Sequence, residues 1–85
     1  MNEASNVIEI IMYGTSWCYA CKHARKIMDQ YQIPYQWIDI DQNEEGRRLV
    51  EKINHGLRSV PTILFPDGSI LVEPDKAQLL QQLGL

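Results

Sequence analysis

Residues 7–31, VIEIIMYGTSWCYACKHARKIMDQY, contain a change of hydrophobic period on which the whole architecture depends. Val7–Tyr13 is a nearly continuous apolar run rich in β-branched residues, which is typical of a central parallel strand buried on both faces. Gly14–Trp17 breaks this strand. From about Cys18 to Tyr31 the apolar residues recur at helical spacing, so we predict an amphipathic helix. Thr15 or Ser16 is expected to cap it.

The two faces of this helix differ in chemistry. Its inward face is predicted to carry Ala20, Cys21, Ala24, Ile27, Met28 and Tyr31. Its outward face is polar and largely basic, with Lys22, His23, Arg25, Lys26, Asp29 and Gln30. Such a basic face is usually solvated surface, but beside a reactive residue it also attracts anionic partners. Ile33-Pro34 ends the helix.

The remaining chain predicts three further strands and two further helices. The strands are Tyr35–Ile40, Val60–Phe65 and Ser69–Val72, the last two joined by a Pro66–Gly68 turn. One helix runs to about Asn54 from a capping-box-like start at Asp41–Glu44, with Leu49, Val50 and Ile53 inward. The other is opened by Asp75 with Gln78 in the reciprocal position. The β-α-β-α-β-β-α order predicts an α/β fold with a four-stranded mixed sheet flanked by three helices.

Length, charge and hydrophobicity argue against several classes of protein. The 85 residues are expected to form one domain over residues 1–85, and the net charge of −3 does not favour a nucleic-acid partner. No apolar run is long enough to cross a bilayer. The polar segment Met1–Asn6 lacks the features of a secretory signal peptide, so we expect a cytoplasmic protein. We also expect it to be a monomer.

The two cysteines, Cys18 and Cys21, form a Cys-x-x-Cys motif where the first strand turns into the first helix. The carboxyl end of a strand is where open α/β sheets bind ligands, and a helix N-terminus carries partial positive charge. Lys22, one turn beyond Cys18, adds an ammonium group. These features favour a thiolate at Cys18, the form that attacks disulfides. Cys21 lies on the apolar stripe and is predicted to be the more buried, resolving thiol, while Cys18 is the exposed nucleophile.

Two other roles for the cysteines are less consistent with the residues. A structural disulfide across so short a loop would stabilise the fold little, by about 2 kcal/mol. A zinc site would need His23 and His55 as further ligands, and these lie on the polar helix face and at a distant turn. Thiol–disulfide chemistry is the favoured interpretation.

Three segments match a known family in order and spacing: Tyr13–Cys21, Arg58–Thr62 and Asp67–Ser69. On these segments the chain resembles the glutaredoxins of the thioredoxin-fold superfamily, and within them it is most similar to the mycoredoxins. The resemblance implies a thiol–disulfide oxidoreductase that needs no organic cofactor. It also implies that Pro61 is a cis proline facing the sulfurs.

The resemblance further implies how substrate is held. Ser59 and Val60 would offer backbone groups to an extended thiol, and Arg58 would lie near its carboxylate. Asp75 matches the acidic position that caps the last helix and holds the γ-glutamyl group. Trp17 and Tyr19 flank the nucleophile. Trp17 is expected either to stack over substrate or to pack against the first helix.

Several residues depart from the usual glutaredoxin pattern. Tyr19-Ala20 replaces Pro-Tyr between the cysteines, Ser16-Trp17 replaces a basic lead-in, and Val72-Glu73 replaces a Gly-Gly pair. The thiol co-substrate is therefore open between glutathione, mycothiol and a similar low-molecular-weight thiol. Disulfide-bearing proteins are the expected partners, with a thioredoxin-reductase-type reductant as another electron donor. The alternative function is iron–sulfur cluster binding or transfer by a glutaredoxin-like dimer, with Cys18 as the ligand from each subunit.

Overall fold

The computed structural model describes residues 9–85, so the predicted strand residues Val7 and Ile8 and the segment Met1–Asn6 lie outside it. The secondary-structure elements follow the predicted order. They are β1 (Ile11–Gly14), α1 (Tyr19–Gln30), β2 (Gln36–Asp39), α2 (Glu44–Ile53), β3 (Thr62–Leu64), β4 (Ile70–Val72) and α3 (Lys76–Gln82).

The four strands form one mixed sheet in the order β2-β1-β3-β4. β1 pairs in parallel with β2, from Ile11 opposite Gln36 to Gly14 opposite Asp39. β3 is antiparallel to β1 and β4 is antiparallel to β3. The predicted central strand and terminal hairpin are confirmed. Gly14 was expected to break the first strand, but it is the last residue of β1 because it still pairs with β2.

The sheet separates two apolar clusters. Met12 and Ile63 point towards α1 and α3, where they pack with Ala24, Ile27, Met28, Phe65 and Leu79. Tyr13 points the other way and packs with Ile40 and with Val50 of α2. Alternate residues of a strand face opposite sides of the sheet, which explains how neighbours in β1 join different clusters. α1 therefore crosses one face of β1 and delivers its N-terminus to the carboxyl end of that strand.

Both ends of α1 differ from the predicted ones. Cys18 is the N-cap, and its sulfur accepts a hydrogen bond from the backbone N–H of Cys21. The expected caps, Thr15 and Ser16, do not cap the helix because they lie in the turn that precedes it. At the other end Gln32 adopts a left-handed conformation with φ of 57°. The N–H of Ile33 donates to the carbonyl of Met28, which closes a Schellman-type ending.

Two of the six predicted inward residues of α1 are exposed. Ala20 lies in the first turn beside the exposed Tyr19, and Tyr31 lies at the C-cap. The other four, Cys21, Ala24, Ile27 and Met28, are buried as predicted.

The N-cap of α2 differs from the predicted residue, whereas that of α3 agrees with it. Asn43, not Asp41, caps α2, and its side chain accepts the N–H of Gly46 at 2.7 Å. Asp75 caps α3 as predicted, and Gln78 completes the reciprocal capping box. Among the described residues, none of the helices combines the length and apolarity required to span a bilayer.

Candidate active site

The site is built around Cys18, which joins β1 to α1. Its Sγ accepts the backbone N–H of Cys21 at 3.1 Å, and its thiol donates to the carbonyl oxygen of Val60 at 3.8 Å. Cys18 is only 8% exposed, so the predicted exposed position of the nucleophile is wrong. The side chain is covered because it folds back onto the helix N-terminus and towards the loop before β3. The N–H contact stabilises negative charge on this sulfur.

Cys21 lies one turn further along α1 and is fully buried, as predicted. The pKa of its thiol is raised to about 12, mainly by burial and next by the hydrogen bond with Cys18. The Arg25 charge on the same helix opposes this rise. At neutral pH the Cys21 thiol is therefore protonated in the reduced protein.

Gly14 makes room for the Cys21 sulfur. A Cβ at Gly14 would lie 2.6 Å from Sγ of Cys21 and 2.6 Å from Cη2 of Trp37. The sulfur and the indole edge therefore converge on a position that only glycine leaves free. Arg25 stacks over the Trp37 ring, with its Cζ 4.1 Å from the ring centroid, and so covers that indole from outside. This close approach joins residues of β1, α1 and β2, and no local sequence signal predicts it.

The loop before β3 brings the carbonyl group of Val60 to the Cys18 sulfur. The Val60–Pro61 peptide bond is cis, and Pro61 is buried. The hydroxyl of Thr62 donates to the carbonyl of Ser59 at 2.7 Å, and the Asn54 amide donates to the Thr62 hydroxyl at 3.2 Å. Thr62 and Asn54 therefore hold the loop in shape, a role that sequence reasoning missed because both residues resemble ordinary strand and helix-end positions.

Two aromatic side chains project on either side of Cys18. Trp17 is 71% exposed and Tyr19 is 85% exposed. The indole N–H of Trp17 donates to a carboxylate oxygen of Asp41 at 2.8 Å. Packing against α1, one of the two expectations for Trp17, is excluded by this exposure. Asp41 was predicted as a helix cap, and the structure makes it the tether of Trp17 instead.

The other predicted binding residues have partners of their own. Arg58, 60% exposed, donates through Nε to Glu51 at 3.0 Å. Arg58 also lines an open groove together with Asp41 and Arg47, and Arg47 forms a further ion pair with Glu51. Asp75 is engaged in the α3 cap, and Lys22 is exposed on the outer face of α1. The structure therefore joins Cys18, Cys21 and Val60 by direct contacts, and places Arg58 and Asp75 in other contacts.

Metal binding finds no support in the described part of the chain. Residues 9–85 contain no group of three or more His, Cys, Asp and Glu side chains arranged to hold a metal ion. His23 and His55, the ligands that a zinc site would need, are both exposed.

Comparison with known proteins identifies the family. The family model described as Glutaredoxin matches residues 10–70, which include β1 and the Cys-x-x-Cys motif. The chain belongs to the glutaredoxin family. Mycoredoxin 1 of Corynebacterium glutamicum is 34% identical over 74 residues, which cover 87% of this chain and 91% of that protein.

Solved structures agree on the fold. The crystal structure of the glutaredoxin from Archaeoglobus fulgidus matches with a TM-score of 0.73 and 25% identity, covering 94% of this chain and 90% of that one. The thioredoxin-like protein BC3987 matches with a TM-score of 0.72 and 21% identity over 88% of this chain and 99% of that one. The fold is thioredoxin-like, as the sequence predicted. This glutaredoxin is a thiol–disulfide oxidoreductase.

Proposed function

We propose that Cys18 is the nucleophile that reduces the mixed disulfide between a protein and a small thiol, and that Cys21 is its resolving partner. One observation carries this assignment. The Cys18 sulfur receives a backbone N–H at 3.1 Å in the turn where β1 meets α1, whereas Cys21 is fully buried. A sulfur that is held by a donor at the helix N-terminus is the better nucleophile.

The exchange begins when the Cys18 thiolate attacks the sulfur of the small thiol. A Cys18–small-thiol disulfide forms, the original disulfide breaks, and the target protein leaves as a thiolate that takes up a proton. A second small-thiol molecule then attacks the Cys18-linked sulfur and leaves as the oxidised small-thiol dimer. Cys18 is released as a thiolate, so the net reaction converts one mixed disulfide and one small thiol into a protein thiol and the small-thiol disulfide.

The resolving route through Cys21 competes with this release. Cys21 must lose its proton before it attacks Sγ of Cys18, and burial keeps that proton bound at neutral pH. When Cys21 does attack, an internal Cys18–Cys21 disulfide forms and the small thiol leaves. We therefore propose that release by a second small thiol is the faster route, and that Cys21 acts when small thiol is scarce.

Substrate is proposed to dock along the Val60–Pro61 loop. The carbonyl of Val60 already contacts the Cys18 sulfur, so an extended thiol lying beside this backbone would meet the nucleophile. Trp17 and Tyr19 would flank it, and Ser59, Arg58 and Asp75 would contact its polar groups. For Arg58 this requires a substrate carboxylate to compete with Glu51.

The co-substrate is proposed to be a glutathione-like low-molecular-weight thiol. Mycothiol is the first choice because mycoredoxin 1 is among the relatives. The protein is proposed to act as a single-domain cytoplasmic monomer. A coupled assay with glutathione, mycothiol and a thioredoxin reductase as alternative electron sources identifies the donor, and equal rates with all three would contradict a dedicated small-thiol co-substrate.

Serine substitutions test the two cysteine roles. On a peptide carrying a 2-mercaptoethanol mixed disulfide, Cys18→Ser is expected to remove activity, by roughly 1,000-fold or more, because no nucleophilic sulfur remains at the turn. Cys21→Ser is expected to keep at least about half of the activity when small thiol is in excess. Equal loss in the two variants would contradict the assignment, and unfolding measurements on both variants exclude a loss caused by misfolding.

A further inference from the structure

The charges of α1 run against the rule that stabilises an isolated helix. Acidic residues near a helix N-terminus and basic residues near its C-terminus are favourable, because they complement the helix dipole. α2 follows this rule, with Glu44 and Glu45 in its first turn and Lys52 in its last. α1 has no acidic residue in its first turn and no basic residue in its last, which holds Asp29 instead. Its lysines, Lys22 and Lys26, precede the last turn and so lie nearer to Cys18 along the helix.

The lysines of α1 share one side of the helix with two other polar side chains. Tyr19, Lys22, His23 and Lys26 are spaced by three and four residues, so they share one face, which we call the α1 basic face. All four side chains are exposed, and together they line a shallow depression of about 200 Å³. Arg25 borders a second depression together with both lysines, and its guanidinium group stacks over Trp37.

The two lysines of this face also differ from the arginines of α2 in their partners. Arg47 and Arg48 each form an ion pair with a glutamate of the same helix. Within residues 9–85, neither Lys22 nor Lys26 takes part in an ion pair. Asp29 borders a neighbouring depression together with both lysines and Arg25, so three cations face one carboxylate there and this surface keeps a positive charge.

The α1 basic face begins beside the nucleophile and is long enough to contact a protein partner. It starts at the residue after Cys18 and extends to Lys26, about 12 Å along the helix axis. The chain as a whole is acidic, with a net charge of −3. A positive face on a negative protein orients an approaching partner, because charges of one sign attract the partner at one side only.

We propose that the α1 basic face docks disulfide-bearing proteins that carry acidic residues beside their disulfide. This inference rests on the proposed function, and it names the substrate class of the same site. A protein substrate fits better than nucleic acid, because two lysines on an acidic chain neutralise too few phosphates to hold a polyanion at physiological salt. α1 would then supply the nucleophile and also align the substrate with it.

The test uses three synthetic peptides of equal length. Each carries one cysteine as a mixed disulfide with the uncharged thiol 2-mercaptoethanol, flanked by four Glu, four Gln or four Lys residues. kcat/KM is measured for the full chain at low salt and at high salt. The Glu peptide is expected to exceed the Gln peptide by about tenfold at low salt, with the preference lost at high salt, because salt screens exposed charges.

A matched pair of charge reversals localises the effect. Lys26→Glu is expected to abolish the preference for the Glu peptide over the Gln peptide, because it reverses a charge on the docking face. Lys52→Glu makes the same change in net charge on α2 and is expected to leave that preference near tenfold. A lost preference for Lys26→Glu with a retained one for Lys52→Glu supports the proposal.

Three results would overturn it. Equal losses of preference in the two variants would show that only net charge matters. Equal reduction of all three peptides by the unmodified protein would refute docking while leaving the thiol–disulfide mechanism intact. Failure of the unmodified protein to reduce any of the peptides would refute the proposed mechanism itself, and the docking proposal with it.

Discussion

The helices α1 and α2 lie on opposite faces of the same sheet and are stabilised in different ways. α2 is stabilised locally, since Asn43 caps it, acidic residues occupy its first turn, and Arg47 and Arg48 pair with glutamates along its surface. α1 lacks these charge arrangements and is capped by a cysteine sulfur. It is held instead by its buried residues, three of which pack with residues of the sheet and α3. Tertiary packing leaves the exposed surface and first turn of α1 available for chemistry.

The largest expected difference is in the pH dependence of stability. The Cys21 pKa is raised from 9.0 to about 12 in the folded protein, so its contribution to stability is fully present below pH 9. Between pH 9 and 12 the unfolded thiol ionises while the folded thiol stays protonated, so stability falls by up to roughly 1.4 kcal/mol per pH unit. Urea unfolding under reducing conditions is expected to show this fall for the unmodified protein and a shallower one for Cys21→Ala.

A variant of α2 provides the control for this pH effect. Leu49→Ala removes half-buried apolar surface but no titratable group. Its stability is expected to lie below that of the unmodified protein by a constant amount at every pH. If the stability of Cys21→Ala falls with pH in parallel with that of the unmodified protein, ionisation of the Cys21 thiol is not the cause of the fall.

The next largest effect is expected at the glycine that faces Cys21. Gly14→Ala would place a methyl group 2.6 Å from Sγ of Cys21 and from the rigid Trp37 ring. Overpacking of this kind costs about 2 kcal/mol of unfolding free energy. The matched change in α2, Gly46→Ala, meets Cγ2 of Ile38 at 2.9 Å but gains about 1 kcal/mol of helix propensity, so its net loss is expected to be smaller. Equal losses in urea unfolding would contradict this difference.

The two helix caps give a smaller effect. Asn43→Ala removes the side-chain oxygen that accepts the Gly46 N–H, and we expect a loss of about 1 kcal/mol with activity retained. Cys18→Ser keeps an acceptor at the cap of α1, so its stability is expected to stay within about 0.5 kcal/mol of the unmodified protein while its activity is lost. Thermal unfolding and the peptide assay measure both quantities. A strongly destabilised Cys18→Ser protein would mean that the sulfur itself holds the turn.

The smallest effect directly tests the charge difference between the helices. Ala20 and Glu45 occupy the second position of α1 and α2. Ala20→Glu is expected to raise the free energy of unfolding by about 0.5 kcal/mol, and Glu45→Ala to lower it by a similar amount, because each change alters the fit to the helix dipole. The acidic group beside Cys18 is also expected to slow alkylation of that thiol by iodoacetamide. Stabilisation without slower alkylation would show that the first turn of α1 does not tune the sulfur.

The fold was predictable because its signals are local and periodic. The apolar run before Gly14, the helical spacing from Cys21 to Met28 and the turn at residues 66–68 each belong to one short segment. Helix caps were less predictable, because several residues in each turn have side chains able to accept an N–H. Asp41 and Asn43 both meet that requirement, and only the backbone path decides that Asn43 caps α2.

The site was predictable only in part, because many of its contacts join distant residues. The Cys-x-x-Cys motif indicates its location, but the exposure of Cys18 depends on the position of Val60, 42 residues away. The Trp17–Asp41 hydrogen bond spans 24 residues and depends on the parallel pairing of β1 with β2. The clash-free space at Gly14 likewise depends on where Trp37 lies in β2.

The hydrogen bond between Trp17 and Asp41 also gives the protein an intrinsic optical reporter. The chain has two tryptophans, Trp17 in water beside the nucleophile and Trp37 half-covered beneath Arg25. Their emission and their quenching by acrylamide should therefore differ, and a group attached to Cys18 alters the surroundings of Trp17 first. Turnover can be followed in real time from this native fluorescence without attaching any dye.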